Sequence, residues 1–196
     1  MLIKKINILT NDIHPFSVIL QEGVGVKVKS GCTLTQFLRN ICGISNDYIE
    51  KRVKTAFINQ KPVDNYDTAI IHDQDMIGLS GAMPGLVGAT FRKNSVLSPF
   101  RSNISYAGIK YDEPVSENRD GMIILRLFNI LIKEIGPRLL EKGVLIQEES
   151  LVKILEAECL ENDCFVETVM LDGKKSKWES NNHHLCYTQI KKTRYL

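Results

Sequence analysis

The chain has 196 residues, 43% of them hydrophobic and 24% charged, with a formal charge of +2; this is the make-up of an ordinary soluble globular protein of one or two domains, long enough to bury a core. So small a charge argues against a strong electrostatic footprint for nucleic acid or anionic lipid. The N-terminus has no apolar run of signal-peptide length, the most apolar segment (Met122 to Ile135) is shorter than the roughly 20 residues that span a bilayer, and an odd count of five cysteines without Cys-x-x-Cys spacing argues against a disulfide framework. The expectation is a cytoplasmic protein with reduced thiols and no membrane association.

Ile6 and Ile8 alternate with Lys5 and Asn7, a period-two pattern that predicts a strand. Ser17 to Gln21 reads as a further candidate strand. Val24, Val26 and Val28 alternate with Gly25, Lys27 and Lys29, a strand with one buried and one wet face. Gly31 breaks it. Thr33 and Gln36 stand at capping-box spacing, and Leu34, Phe37, Leu38 and Ile41 give the helix that follows one apolar face. Gly43 is placed to end this helix in the left-handed conformation. Ser45 can cap a second short helix, in which Ile49 and Val53 share a face. Thr55 to Ile58 then reads as a strand, Asn59 to Pro62 and Asp73 to Asp75 as turns, and Met76 to Ser80 as a strand.

VKVKSGCTLTQFL followed by TAFINQKPVDNYDTAIIHDQDMIGL resembles the β-grasp sulfur carriers, the group of the molybdopterin-synthase small subunit and the thiamine sulfur carrier. The matching pieces are Val24 to Val28, Gly31, Thr33, Asn59-Gln60 and Asp73-Gln74-Asp75, and the resemblance covers roughly the first 80 residues. It implies a ubiquitin-like β-grasp module that works by being held by a partner. A sulfur carrier also ends in Gly-Gly, whose carboxylate is adenylated and thiolated. This chain has no Gly-Gly dipeptide, and in place of the tail it reads GAMPGLVGATFRKN and continues. Gly81, Pro84, Gly85, Gly88 and Arg92 are therefore residues of interest in a connector, where the glycines are expected to shape a crossover rather than a cleaved tail.

The stretch from Met83 to Asn103 is rich in glycine, proline and serine and reads as loop. Its basic cluster of Arg92, Lys93 and Arg101 is expected to be solvated rather than an anion site. Tyr106 to Val115 is expected to run extended. Met122 to Ile135 is apolar except for Arg126, Asn129, Lys133 and Glu134, which predicts a buried helix with one narrow polar stripe, ended or kinked at Gly136-Pro137 unless Pro137 opens a further turn. Val144 to Ile146 reads as a short strand, and Glu148 and Glu149 as the first turn of another helix, where negative charge suits the helix dipole, with Leu151, Leu155 and Cys159 on its inner face. Cys164 to Leu171 is β-rich, Asp172-Gly173 is a hairpin signal, Trp178 lies in the return strand, and Leu185 to Lys191 completes the pattern.

Three sets of residues could carry chemistry. Cys159, Cys164, His183, His184 and Cys186 are of the types that bind zinc, but they lack the tight Cys-x2-Cys knuckle, and the expectation is buried thiols and loop histidines. The acid pairs Asp64 and Asp67, Asp73 and Asp75, and Glu148 and Glu149 fall in predicted turns and a helix start, where acids serve local hydrogen bonds. SNDYIEKRVKTAFINQKPV resembles the αL-type RNA-binding motif of ribosomal and pseudouridine-synthase proteins. Asn46 stands where that motif has arginine, however, and Glu50, Asp64 and Asp67 offset Lys51, Arg52, Lys54 and Lys61. The basic end, with Lys191, Lys192 and Arg194, is expected to be solvated.

The sequence therefore predicts an α+β fold: a ubiquitin-like β-grasp domain over residues 1–90, a connector over 91–117 and a smaller α+β domain over 118–196. The predicted role is a non-catalytic protein-binding or adaptor protein, with no catalytic residue, cofactor or metal, whose partner is another protein or a second copy. A sulfur-carrier-related protein of cofactor or sulfur metabolism and an RNA-binding module are the alternatives.

Overall fold

A computed structural model describes residues 4–107, 119–160, 166–171, 173–175 and 185–192. In chain order these form β1 (Lys4–Thr10), a 3-10 turn at His14–Phe16, α1 (Ser17–Glu22), β2 (Val24–Lys29), α2 (Leu34–Asn40), α3 (Asn46–Arg52), β3 (Thr55–Ile58), β4 (Lys61–Pro62) and β5 (Met76–Ser80). After them come α4 (Gly85–Phe91), a 3-10 stretch at Ser98–Ile104, β6 (Asp120–Phe128), α5 (Ile130–Lys142) and β7 (Val144–Gln147). The last are α6 (Glu148–Leu160), β8 (Val166–Leu171), β9 (Lys174–Lys175) and β10 (Leu185–Lys192). Contacts divide the chain into two units, Gly25–Ile135 and the two ends, Met1–Val24 with Gly136–Leu196. Each combines helices with mixed strands. The predicted boundary at residue 90 falls inside α4 and inside the first of these units.

In the unit Gly25–Ile135 the strand order is β4-β3-β5-β6-β2. β3 is antiparallel to β4 and β5, and β5 is parallel to β6. Ala56, Ile58, Ile77, Leu79, Ile123, Leu125 and Leu127 are buried at alternate strand positions, and Val26, Val28, Leu34, Phe37, Leu38 and Ile49 are buried with them. α2 starts where it does because Thr33 and Gln36 cap each other: Thr33 Oγ1 accepts the Gln36 N–H at 3.2 Å and Gln36 Oε1 accepts the Thr33 N–H at 2.8 Å. Ser45 Oγ caps α3 through the Tyr48 N–H. Asn59 and Gln60 both have positive φ, 49° and 67°, the two-residue turn whose twist suits a hairpin.

The turn from His72 to Asp75 is tied to two strands. Asp75 is buried; its carboxylate accepts the His72 N–H and the Asn59 side-chain amide, each at 2.7 Å. Asp73 Oδ1 accepts the Met122 N–H, also at 2.7 Å. Both acids thus satisfy donors at the head of the β5/β6 pair.

In the unit formed by the chain ends the order is β7-β10-β1-β8-β9. β1 runs parallel to β10 and antiparallel to β8, and β10 is antiparallel to β7. Ile6, Ile8, Val144, Ile146, Cys186 and Ile190 are buried in it. The first predicted strand, with Ile6 and Ile8, therefore pairs with β10 and β8 of this unit. Leu171 opposes Lys174 across the β8/β9 hairpin. Residues 108–115, Cys164, Asp172, Trp178, His183, His184 and Arg194, and the side chains of Cys159 and Lys192, lie outside what is described.

Three local expectations are corrected. Ser17 to Gln21 is helical, as α1. The predicted helix from Met122 to Ile135 is a strand to Phe128 and a helix only from Ile130. The underlying period is two, since Ile123, Leu125 and Leu127 are buried. Ile124 and Phe128 on the other face are themselves apolar, so the run looks uniformly hydrophobic, and periodicity alone does not separate a buried helix from a strand. Asn129, at φ 57°, makes the switch. α5 then passes through Gly136 and Pro137 to Lys142. Finally, the predicted loop between Met83 and Asn103 contains α4.

Candidate functional site

Strand alternation puts a second set of side chains on the opposite face of the sheet in the Gly25–Ile135 unit. Phe57 on β3, Gly78 on β5 and Arg126 on β6 are in register across three strands. Ser80 pairs with Phe128, and Met76 with Ile124. Gly78 has no side chain, so a trough opens between Phe57 and Arg126. A Cβ built on it would lie 3.7 Å from the Phe128 ring and 3.8 Å from Phe57, which places these two phenylalanines as walls. Met76, Met83, Gln60 and Asn129 complete a groove of about 420 Å³. Asn129 is fixed by donating its side-chain amide to Ser80 Oγ at 2.9 Å. Phe91 of α4 meets Phe57 edge to face at 5.5 Å.

The groove combines apolar walls with one cation. No carboxylate lines it. Arg126 is half-buried, and its Nε is out of water with no hydrogen-bond partner among the described residues. Ile124, Phe128 and Ile130 are exposed beside it, and α4 exposes Leu86 (76%) and Val87 (66%). The edge of the same sheet is less available. β4 has only two residues, one of them Pro62, and the Pro62 carbonyl accepts the Tyr106 N–H at 2.9 Å; a short, proline-bearing, covered strand is a poor template for strand addition.

A second cavity, of about 510 Å³, is lined by Asn46, Glu50, Asp64, Tyr66, Asp67 and Lys93 among others. Lys93, Glu50 and Asp64 are already engaged. Lys93 pairs with Glu50 at 2.7 Å and lies 4.6 Å above the Tyr66 ring, and it holds the Glu50 carboxyl below the usual carboxylate range. Burial pushes the Tyr66 phenol up. Arg101, 3% exposed, forks onto Asp64 at 2.6 and 3.0 Å and donates from Nε to the Thr90 carbonyl. Two of the three residues in the basic cluster therefore fasten the predicted connector to the sheet unit, and Arg101 is buried rather than solvated. Arg92 follows α4 and is half-buried.

The connector glycines have separate local causes. A Cβ on Gly81 would lie 2.9 Å from Ile130, and one on Gly88 2.3 Å from the Met83 carbonyl oxygen; Gly85 has φ +76°. Pro84 stands at the N-cap of α4. Of the zinc-type residues only the Cys186 side chain is described, buried in β10, and among the described residues no group of three metal-binding side chains occurs. The cations of α3 are paired: Lys51 with Asp47, and Arg52 with Glu134. Lys54 donates to the Glu50 carbonyl. They form no free basic stripe.

Arg126 and Phe128 were not legible as site residues while their segment read as a helix. The signal that would have found them is the alternation of Ile123, Leu125 and Leu127. No family model matches the chain, and no curated protein or solved structure matches it. Among the described residues no helix is long and apolar enough to cross a membrane.

Proposed function

We propose that the protein is a non-catalytic binding protein that seats another protein on the open face of the β4-β3-β5-β6-β2 sheet, and that this unit is a β-grasp module. The observation that carries the binding role is the groove over Gly78: an apolar trough walled by Phe57, Met76, Met83 and Phe128. Convergent apolar walls with few polar groups are what a binding site requires. The absence of a nucleophile–base pair in the groove's lining favours binding over catalysis.

The β-grasp reading rests on the path from Val24 to Ser80, a strand, a Thr33-capped helix, a hairpin and a strand, with β6 rather than β1 beside β5. The sulfur-carrier alternative has less support, because the residues where a carrier tail would lie form α4. The RNA alternative has less support, because Lys51 and Arg52 of α3 are paired with acids.

The test is affinity capture from native extract with the wild-type chain, with Phe128→Ser and Met76→Ser in the groove, and with Val96→Ser as an exposed control. The reading requires a protein captured by the wild type and the control and lost with the groove variants. Equal capture by all four would overturn it.

A further inference from the structure

The groove has a charge character that its apolar walls do not explain, and this points to the chemistry of its occupant. Resting on the binding role proposed above, we propose that the groove takes a peptide segment of a partner protein in which an Asp or Glu stands beside a large apolar residue. The carboxylate meets Arg126, and the apolar side chain fills the trough over Gly78.

Phe57, Gly78 and Arg126 are cross-strand neighbours in one row, so a side chain lying over Gly78 has an aromatic wall on one side and a guanidinium on the other. Among the described residues the guanidinium has no partner. Arg101 and Arg52, in the same unit, each fork onto a carboxylate, whereas Arg126 makes no hydrogen bond or ion pair among the described residues, and its Nε is out of water. A desolvated donor without an acceptor is costly, and a carboxylate fits the planar fork of arginine with two hydrogen bonds. The groove lining has no acid to compete for it. Of the other polar side chains in the lining, Asn129 and Ser80 bond to each other, and Gln60 is uncharged.

A phosphate backbone is disfavoured because it is held by several cations and the groove has one. A peptide is favoured over a small free acid because exposed apolar side chains flank the groove residue Phe128 in the chain, Ile124 earlier on β6 and Ile130 at the start of α5. That is room for more than one residue.

The experiment is to pan a random dodecapeptide display library on the full chain and to measure the recovered sequences as fluorescein-labelled peptides by anisotropy. The recovered sequences are expected to share an Asp or Glu within two residues of Phe, Leu, Met or Trp. Changing that acid to its amide should weaken binding about ten- to a hundredfold, the range of a charge-assisted pair. In Arg126→Met the acid and amide peptides should bind alike, and in Arg126→Lys part of the preference should survive. Thermal melts should match the wild type in both, because neither changes the backbone or the core face.

An acid preference that persists in Arg126→Met would overturn the assignment of the carboxylate to Arg126. Sequences without an acid that still lose affinity in Gly78→Leu would overturn the acidic peptide and leave the groove reading standing. Binding unchanged by Gly78→Leu and Phe128→Ser, or no enriched peptide, would overturn both. 3-Phenylpropionate competing at the peptide's own concentration would overturn the peptide in favour of a small acid.

Discussion

Arg101 and Asp64 are an ion pair with unequal surroundings. Arg101 is 3% exposed and the Asp64 side chain 41%. Removing Asp64 leaves a buried guanidinium with no counter-charge, while removing Arg101 leaves a carboxylate that water can reach. Asp64→Ala is therefore expected to cost about 3–4 kcal/mol and Arg101→Met about 1–3 kcal/mol, the smaller figure reflecting the solvent that screens the acid left behind. Urea titration of the two variants measures the order, and the reverse order would mean that Arg101 contributes mainly packing. Nothing local reveals this pair. The two residues lie 37 positions apart, and Arg101 occupies a Ser- and Pro-rich stretch that reads as solvated loop.

At the scale of elements, glycines set what each segment tolerates. In Gly88→Ala the new methyl would lie 2.3 Å from the Met83 carbonyl oxygen, so the backbone at the head of α4 must move, at a cost of roughly 1–3 kcal/mol. Gly78→Ala meets side chains at 3.7–3.8 Å and removes a glycine from a strand interior, so it is expected to be neutral or to stabilise by up to about 1 kcal/mol. Thermal melts of the two variants check the contrast. α3 and α5 are joined through Glu134, which accepts from Arg52 and from the Tyr48 hydroxyl. Arg52 first, and then Tyr48, hold the Glu134 carboxyl below its ordinary value of 4.5. A depressed folded value means that the unfolded chain binds the proton more readily. The contribution is therefore fully present above the ordinary carboxylate value and is lost as pH falls through the lowered folded one. Glu134→Gln should be less stable than wild type at neutral pH, and the two denaturation curves should converge in acid; a gap that stays constant would exclude the ion pair as its source.

For the whole molecule, the two units are interleaved in the chain. The strands of the Gly25–Ile135 unit include β6, from residues 120–128, and the unit of the chain ends pairs β1 with β10, from residues 185–192. A fragment of residues 1–90 would lack β6, one of the two neighbours of β5, and all but one strand of the unit formed by the chain ends. Exposed edges and uncovered apolar faces on this scale do not sustain a fold. The fragment is expected to show little strand signal by circular dichroism and poor amide dispersion by NMR. A well-dispersed spectrum would show β6 to be dispensable and would restore a boundary near residue 90.

What the sequence by itself determined lies mostly between Val24 and Ser80. The valine strand, the Thr33 and Ser45 caps, the Asn59-Gln60 turn and the strand at Met76 are set by interactions within a few residues, which side-chain type and spacing reveal directly. The tertiary structure alone decided that residues 120–128 are a strand, that β1 joins β10, and that Arg101 meets Asp64. It also decided that Gly78 leaves a trough between Phe57 and Arg126. Each depends on partners between 21 and 182 positions away. Pairing over such distances is chosen by burial and register in the assembled sheet, and an apolar run such as Met122 to Phe128 is compatible with either helix or strand until a neighbouring strand supplies its hydrogen bonds.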